Sequence, residues 1–438
     1  MRKKLVQSVL VAALSFSIFQ CQQEKTSPFP TIESTKPLEV GIPRAIEIAE
    51  SYLDLNNDAA ARRKSRATSK TDTRPRKVKR TRTLKDDAGS DLMHIIEYEG
   101  ESKENRGFVI VAADRRVTPI LAMGDSGTFH TDNPGVQIWI SHVMDQVNQG
   151  KKQLKRPEKD IDALWKDFEN RADVKAGRIS GEPDPHLPPG RNCPDNWEAF
   201  VPAILSTQWG QGRGYNKYCP SRSCAEDDDC NKAQAGCGPI AIAQVWNAPN
   251  LRLPASLPSS SAIGAQTLNY PFNNLFSVNC NSTNEQDKQI SALIWLAGSW
   301  ASSDYNFLGC NTLTWRDNIN DAFASAGYSN SGTRVDWNTY QNHAVSELSW
   351  GYPAIIDGTK GTDDILQFHI WIVDGVDTWK HYVEPEDPYA QCIETWVTLY
   401  HINWGWYGSD NNWYVLGNFT GSALNYRSYL NATYGFRR

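Results

Sequence analysis

The chain has 438 residues and a formal net charge of −5, from 45 Lys and Arg against 50 Asp and Glu. That balance gives no basis for a nucleic-acid partner, and the length accommodates roughly two or three domains with ample material for a core. The 16 Trp, 17 Tyr and 14 Phe concentrate after residue 196, a composition that suits a rigid, cleft-bearing domain and a carbohydrate-binding surface alike.

Residues 1–20 open with Arg2-Lys3-Lys4 and continue through the apolar run Leu5 to Phe19. This reads as an export signal, too short for a stable membrane span. It ends at Cys21, which a lipoprotein signal would use as its anchor. Phe19-Gln20 are poor at positions where small residues normally stand, so a lipid anchor at Cys21 and plain secretion both stay open. Residues 21–40, rich in Pro, Ser and Thr, read as a tether. Nine cysteines behind an export signal point to an oxidising compartment. Setting Cys21 and Cys237 aside leaves Cys193, Cys219, Cys224, Cys230, Cys280, Cys310 and Cys392, which cannot all pair within one chain; their connectivity is not legible.

Pro43 to Leu53 has helical periodicity with proline in the first turn. Residues 62–82 form a basic run without apolar periodicity, read as a solvated or disordered linker. Strand-like runs follow at Met93 to Tyr98, Gly107 to Asp114 and Val117 to Ala122, and amphipathic helices at 135–149 and 160–172. Residues 41–175 thus make a small α+β unit. Within it, Gly124-Asp125-Ser126-Gly127 copies the tetrapeptide around the serine of chymotrypsin-like proteases. That chemistry needs a histidine and an aspartate that both precede the serine on a barrel scaffold. Only His94 precedes Ser126, with no room for a first barrel, so the tetrapeptide reads as a turn.

Residues 176–196, dense in Gly, Pro, Asp and Glu, read as an exposed linker and a place for maturation. Residues 197–438 form a globular domain. Its Cys219, Cys224, Cys230 and Cys237 lack the paired CxxC spacing of a zinc site, and Asp227-Asp228-Asp229 reads as a solvated loop. Neither a metal nor a cofactor is expected.

The domain is organised around Ala235-Gly236-Cys237-Gly238-Pro239-Ile240-Ala241-Ile242-Ala243-Gln244-Val245. A small-residue turn delivers a cysteine to the start of an apolar helix, where the helix N-terminus and a nearby imidazolium would stabilise a thiolate. In isolation the same segment fits a structural cysteine. His369 opens the apolar run His369-Ile370-Trp371-Ile372-Val373-Asp374-Gly375, where a packed strand histidine is the plain alternative. Asn403, in His401-Ile402-Asn403-Trp404-Gly405-Trp406, offers an amide to fix an imidazole, and Trp404 a ring to exclude water from that contact. Gln211, in Trp209-Gly210-Gln211-Gly212, supplies an amide donor for an oxyanion.

The order Gln, Cys, His, Asn is that of papain-like proteases, and the motifs resemble the streptopain family of bacterial cysteine proteases. The carriers are Trp209 to Asn216 with Cys219-Pro220, Gly236 to Gln244, His369 to Gly375, and Asn403 to Trp406. Upstream, Gly107 to Asp114 and Gly124 to Phe129 look like the inhibitory pro-domain of that family. The chain departs from the family pattern at Gly238-Pro239, at Gln367-Phe368, and at Tyr407-Gly408 where the family tends to have Gly-Gly.

The resemblance implies an α+β fold, a papain-like two-lobed cysteine protease domain preceded by a small α+β pro-domain. It also implies an exported bacterial endopeptidase made as a zymogen, with protein or peptide substrates and its own pro-domain as intramolecular inhibitor. Cys237 would be the nucleophile, His369 the base, Asn403 its orienter, Trp404 the shield and Gln211 an oxyanion donor. A catalytically inactive surface protein that binds peptide or glycan through the same cleft is the rival reading, and an acyl transferase on the same fold is a third.

Overall fold

The computed structural model describes residues 37–64, 76–99, 107–179, 193–194, 196–223, 230–360, 367–384, 390–421 and 429–438. The export signal, Cys21, the Asp227–Asp229 loop and most of the 176–196 linker lie outside them. Leu38–Arg438 form one compact unit.

The N-terminal part begins with α1 (Ile42–Lys64), followed by β1 (Lys77–Lys85), β2 (Asp91–Glu99), β3 (Phe108–Ala112) and β4 (Ile120–Gly124). The helices α2 (Pro134–Gln153) and α3 (Lys159–Lys175) complete it. Asn133 caps α2 by accepting the Gly135 N–H, and Pro134 occupies the first turn, where a missing N–H costs nothing. The Gly124–Gly127 tetrapeptide lies at the turn out of β4, with Gly127 at φ +77°.

The basic run 62–82 departs from its reading as a solvated linker. Its described ends belong to α1 and β1, and β1 pairs antiparallel with β2. The physical reason lies on the neighbouring strand: Glu97 is only 3 % exposed, and Arg80 donates to it at 2.9 and 3.1 Å. Basic side chains are recruited to neutralise a buried carboxylate, a demand that charge density alone does not reveal.

The C-terminal part holds β5 (Trp197–Val201), α4 (Cys237–Asn247), α5 (Glu285–Trp300), β6 (Asp304–Phe307), β7 (Asn311–Leu313) and α6 (Asn318–Ser325). Then come β8 (Asn330–Asp336), α7 (Trp337–Ser349), β9 (Ala354–Thr359), β10 (Phe368–Val383), β11 (Ile393–Asn403), β12 (Trp413–Tyr414) and β13 (Leu430–Arg437). One sheet runs through both parts in the order β1-β2-β3-β4-β12-β11-β10-β9-β13-β8, with β5 pairing β10. The join is the short ladder Trp413↔Met123 and Tyr414↔Ala122.

Two hydrophobic cores flank that sheet, and strand alternation divides the side chains between them. Ile355, Ile370 and Ile372 pack into the helical lobe with α4, α5 and α6. Ile356, Trp371 and Val373, their neighbours in sequence, enter the other core, which continues into α1, α2 and α3. This is the α+β, two-lobed arrangement expected from the sequence. Cys193–Cys392 and Cys230–Cys280 are disulfides, and Cys310 is also disulfide-bonded. Among the described residues Cys219 and Cys237 are the free thiols.

Candidate active site

Cys237 is the first residue of α4, and Gly236 before it sits at φ +90°, a left-handed conformation that favours glycine. The turn is closely packed. A Cβ on Gly236 would lie 2.9 Å from Thr312 Cγ2, and one on Gly238 2.6 Å from Thr314 Cβ. The glycines on either side of the cysteine are therefore set by contact with β7 and the residue just after it. Cys237 is partly exposed. Burial pushes the thiol up, against the opposing influence of the nearby backbone amides of Ile370, Gly238 and Cys237 itself. The Ile370 amide belongs to the residue after His369, so the helix start and the start of β10 meet at the sulfur.

His369 is 3 % exposed and nearly parallel to the Trp371 ring, with centroids 6.1 Å apart. Its Nε2 lies 2.9 Å from the Trp404 carbonyl oxygen. A carbonyl only accepts, so Nε2 carries the proton and donates, leaving the lone pair on Nδ1. Burial lowers the imidazole to about 4, partly offset by that carbonyl. Cys237 and His369 share no hydrogen bond here, and burial disfavours the charged form of each.

Asn403 does not hold His369 in this structure, contrary to the expectation from sequence. Its Nδ2 donates to the Thr207 carbonyl at 2.7 Å and to Gln244 Oε1 at 3.2 Å. Its Oδ1 accepts from Gln244 Nε2 at 3.3 Å and from the Gly405 amide at 3.1 Å. Asn403 thus braces the end of β11 against the nucleophile helix, and the orienting acceptor is the next residue's main-chain carbonyl. Trp404 remains beside the imidazole. Its ring is fully buried, its Nε1 donates to the Asp410 carbonyl at 2.9 Å, and it packs on Trp371 and Tyr414.

Gln211 lies in the turn facing the nucleophile loop. Its carbonyl accepts the Ala235 N–H at 2.8 Å, two residues before Cys237. Among the described residues its side-chain amide has no protein partner, and it is partly exposed. Sequence reasoning missed three participants. Gln244 closes the nucleophile motif and braces Asn403. Tyr407 bonds the Gln211 turn. Gly135 of α2 approaches the imidazole.

That last contact sets the N-terminal part against the imidazole side of the site. A Cβ on Gly135 would overlap the Trp404 ring and come within 3.0 Å of His369 Cδ2. Around it, Asn133 Nδ2 donates to the Ser409 carbonyl at 3.1 Å and Trp139 Nε1 to the Val415 carbonyl at 2.9 Å. His142 Nε2 donates to the Thr359 carbonyl at 2.9 Å, and the His130 amide to Asp410 Oδ1 at 2.8 Å.

Residues 209–414 match the model of the Peptidase C10 family, and residues 37–147 match that of the Spi protease inhibitor. Among solved structures, a fragment of prointerpain A from Prevotella intermedia is 18 % identical with a TM-score of 0.49, covering 81 % of this chain and 97 % of that one. Active interpain A, a cysteine protease of the same organism, is 20 % identical with a TM-score of 0.34, covering 53 % and 94 %. No curated protein matches the chain.

Proposed function

We propose that Cys237 and His369 are the catalytic pair of this chain, which carries a peptidase C10, or streptopain, cysteine peptidase domain over residues 209–414 and an inhibitory pro-domain of the Spi type over residues 37–147. The observation that carries the assignment is the meeting of the α4 N-terminus with β10: the backbone amide of Ile370, next to His369, bears on the Cys237 sulfur, and the imidazole's protonated nitrogen is occupied by Trp404. Nδ1 is then the nitrogen that takes the thiol proton. The thiolate attacks the peptide carbonyl, with Gln211 and the Cys237 backbone N–H donating to the oxyanion. His369 returns the proton to the leaving amine, and water releases the acyl-enzyme. Asn403 acts on the pair indirectly, by holding Trp404 against α4.

We propose the boundaries 41–175 for the pro-domain and 197–438 for the peptidase domain, with maturation between them. The Arg2 to Phe19 run, together with the disulfides Cys193–Cys392 and Cys230–Cys280, supports an exported protein. Anchoring through Cys21 or free secretion are its two forms.

With the pro-domain docked, burial pushes the thiol up and the imidazole down, which disfavours the thiolate–imidazolium pair. Iodoacetamide at pH 6 is expected to leave the unprocessed chain unlabelled and to alkylate Cys237 rapidly after the pro-domain is removed. Cys219, buried and pushed up to about 12, is expected to stay unmodified in both. Labelling that is equally slow before and after removal contradicts the assignment.

Docking is also expected to weaken in acid. His142 of α2 is lowered to about 4 by burial, against its bond to the Thr359 carbonyl. A histidine held neutral in the docked state leaves docking intact above its ordinary value near 6.5. As pH falls from there towards 4, release takes up a proton and is favoured. At pH 5 the pro-domain's inhibition constant is expected to be roughly ten- to thirtyfold weaker than at pH 7.5. His142→Gln is expected to flatten that dependence; an unchanged pH profile in the variant removes His142 from the account.

A further inference from the structure

Tyr407 has φ +56°, a left-handed conformation that L side chains disfavour. A bulky residue persists in such a position only where its surroundings hold it there. The Tyr407 hydroxyl accepts the Gly212 N–H at 2.7 Å, and its own N–H donates to the Trp209 carbonyl at 3.1 Å. Its ring lies over Gly210 so closely that any Cβ there would overlap it. The Arg213 guanidinium stacks on the ring, 4.8 Å from its centroid.

These contacts converge on one peptide plane. Gly212 N–H and Gln211 C=O belong to the same amide unit. The hydroxyl of Tyr407 holds its N–H end, while the Ala235 amide, beside the nucleophile loop, holds its C=O end at 2.8 Å. With Gly210 pressed beneath the ring on the other side, the direction in which Gln211 leaves the backbone is fixed relative to Cys237. We infer that Tyr407 is a positioning residue for the oxyanion donor, clamping the Gln211–Gly212 peptide so that the Gln211 amide is aimed before substrate arrives. The inference rests on the proposed role of Gln211. An oxyanion donor helps in proportion to how little it must move in the transition state, so loss of the clamp falls on kcat.

The test is a double-mutant cycle on the processed enzyme, using Tyr407→Phe, Gln211→Ala and the pair, assayed on one peptide substrate. Tyr407→Phe keeps the ring over Gly210 and removes only the hydroxyl. It is expected to lower kcat roughly tenfold with KM nearly unchanged. Gln211→Ala is expected to lower kcat by about 10²-fold. In the Gln211→Ala background the added Tyr407→Phe change is expected to cost less than about twofold, because the group it aims is gone. The rate of Cys237 alkylation, which uses no oxyanion hole, is expected to be the same in wild type and Tyr407→Phe. If Tyr407→Phe costs the same factor in both backgrounds, or slows alkylation in parallel with kcat, the hydroxyl acts on general structure and the inference fails. If Tyr407→Phe leaves kcat unchanged while Gln211→Ala lowers it, the clamp fails and the oxyanion role stands. If Gln211→Ala has no effect, the oxyanion assignment falls and takes the clamp with it.

Discussion

Cys237→Ala is expected to abolish peptide-bond hydrolysis by the processed enzyme, a loss of roughly 10⁴-fold or more in kcat, because it removes the group proposed to form the acyl-enzyme. The fold should survive. Cys237 is partly exposed and ends in a small side chain, and Gly236 and Gly238, which meet Thr312 and Thr314, are unchanged. Thermal unfolding of the variant is therefore expected within a few degrees of wild type. His369→Ala should follow it in activity. The ring is buried and bonded to Trp404, so this variant also loses packing and is the poorer test. Retained hydrolysis in Cys237→Ala points to another nucleophile. Wild type and variant that are equally inactive, even after removal of the pro-domain, favour a peptide- or glycan-binding surface protein.

The second large effect is expected at Gly135, on the pro-domain side of the site. Its Cα faces the Trp404 ring and the His369 edge with no space for a side chain: even the first carbon would overlap the indole. The indole cannot yield easily, since it is buried, bonded to Asp410 and packed between Trp371 and Tyr414. Gly135→Leu therefore forces the start of α2 away from the imidazole. Overpacking of this kind costs about 1–3 kcal/mol, which corresponds to roughly a five- to 150-fold weaker docking equilibrium. Leucine is also the better helix former by up to about 1 kcal/mol, so α2 itself is not harmed. The expected result is earlier onset of activity in the full-length chain without loss of pro-domain helicity. Unaltered latency in Gly135→Leu means that α2 does not hold the site closed.

What was legible in the sequence follows from where the information resides. Cys237, His369 and Trp404 carry unusual side-chain chemistry at the ends of apolar runs, and the turn before Cys237 announces itself by glycine. The division of β10 between two cores is likewise written as alternation of Ile370, Trp371, Ile372 and Val373. The acceptor for His369 was not legible, because it is a main-chain carbonyl that any residue supplies. Asn403 draws that expectation because its side chain is the obvious acceptor. Its actual partners, Thr207 and Gln244, lie 196 and 159 residues away in sequence, and nothing local points to them. β1 was hidden for a related reason: Arg80 answers to Glu97 across the sheet, whereas its own neighbours read as a solvated charge run. Gly135 looks like any helix-start glycine until Trp404 is placed against it.

The most direct test of the central claim is the intact mass of the purified full-length chain followed over time, for wild type and Cys237→Ala in parallel. Wild type is expected to yield a fragment beginning within residues 176–196 and retaining Cys237. The alanine variant should stay whole alone and be cut at the same bond when trace processed wild type is added. Identical cleavage of both chains without added enzyme would contradict the claim. So would failure of both to be cut, if wild type still hydrolyses no peptide after trypsin has removed the pro-domain.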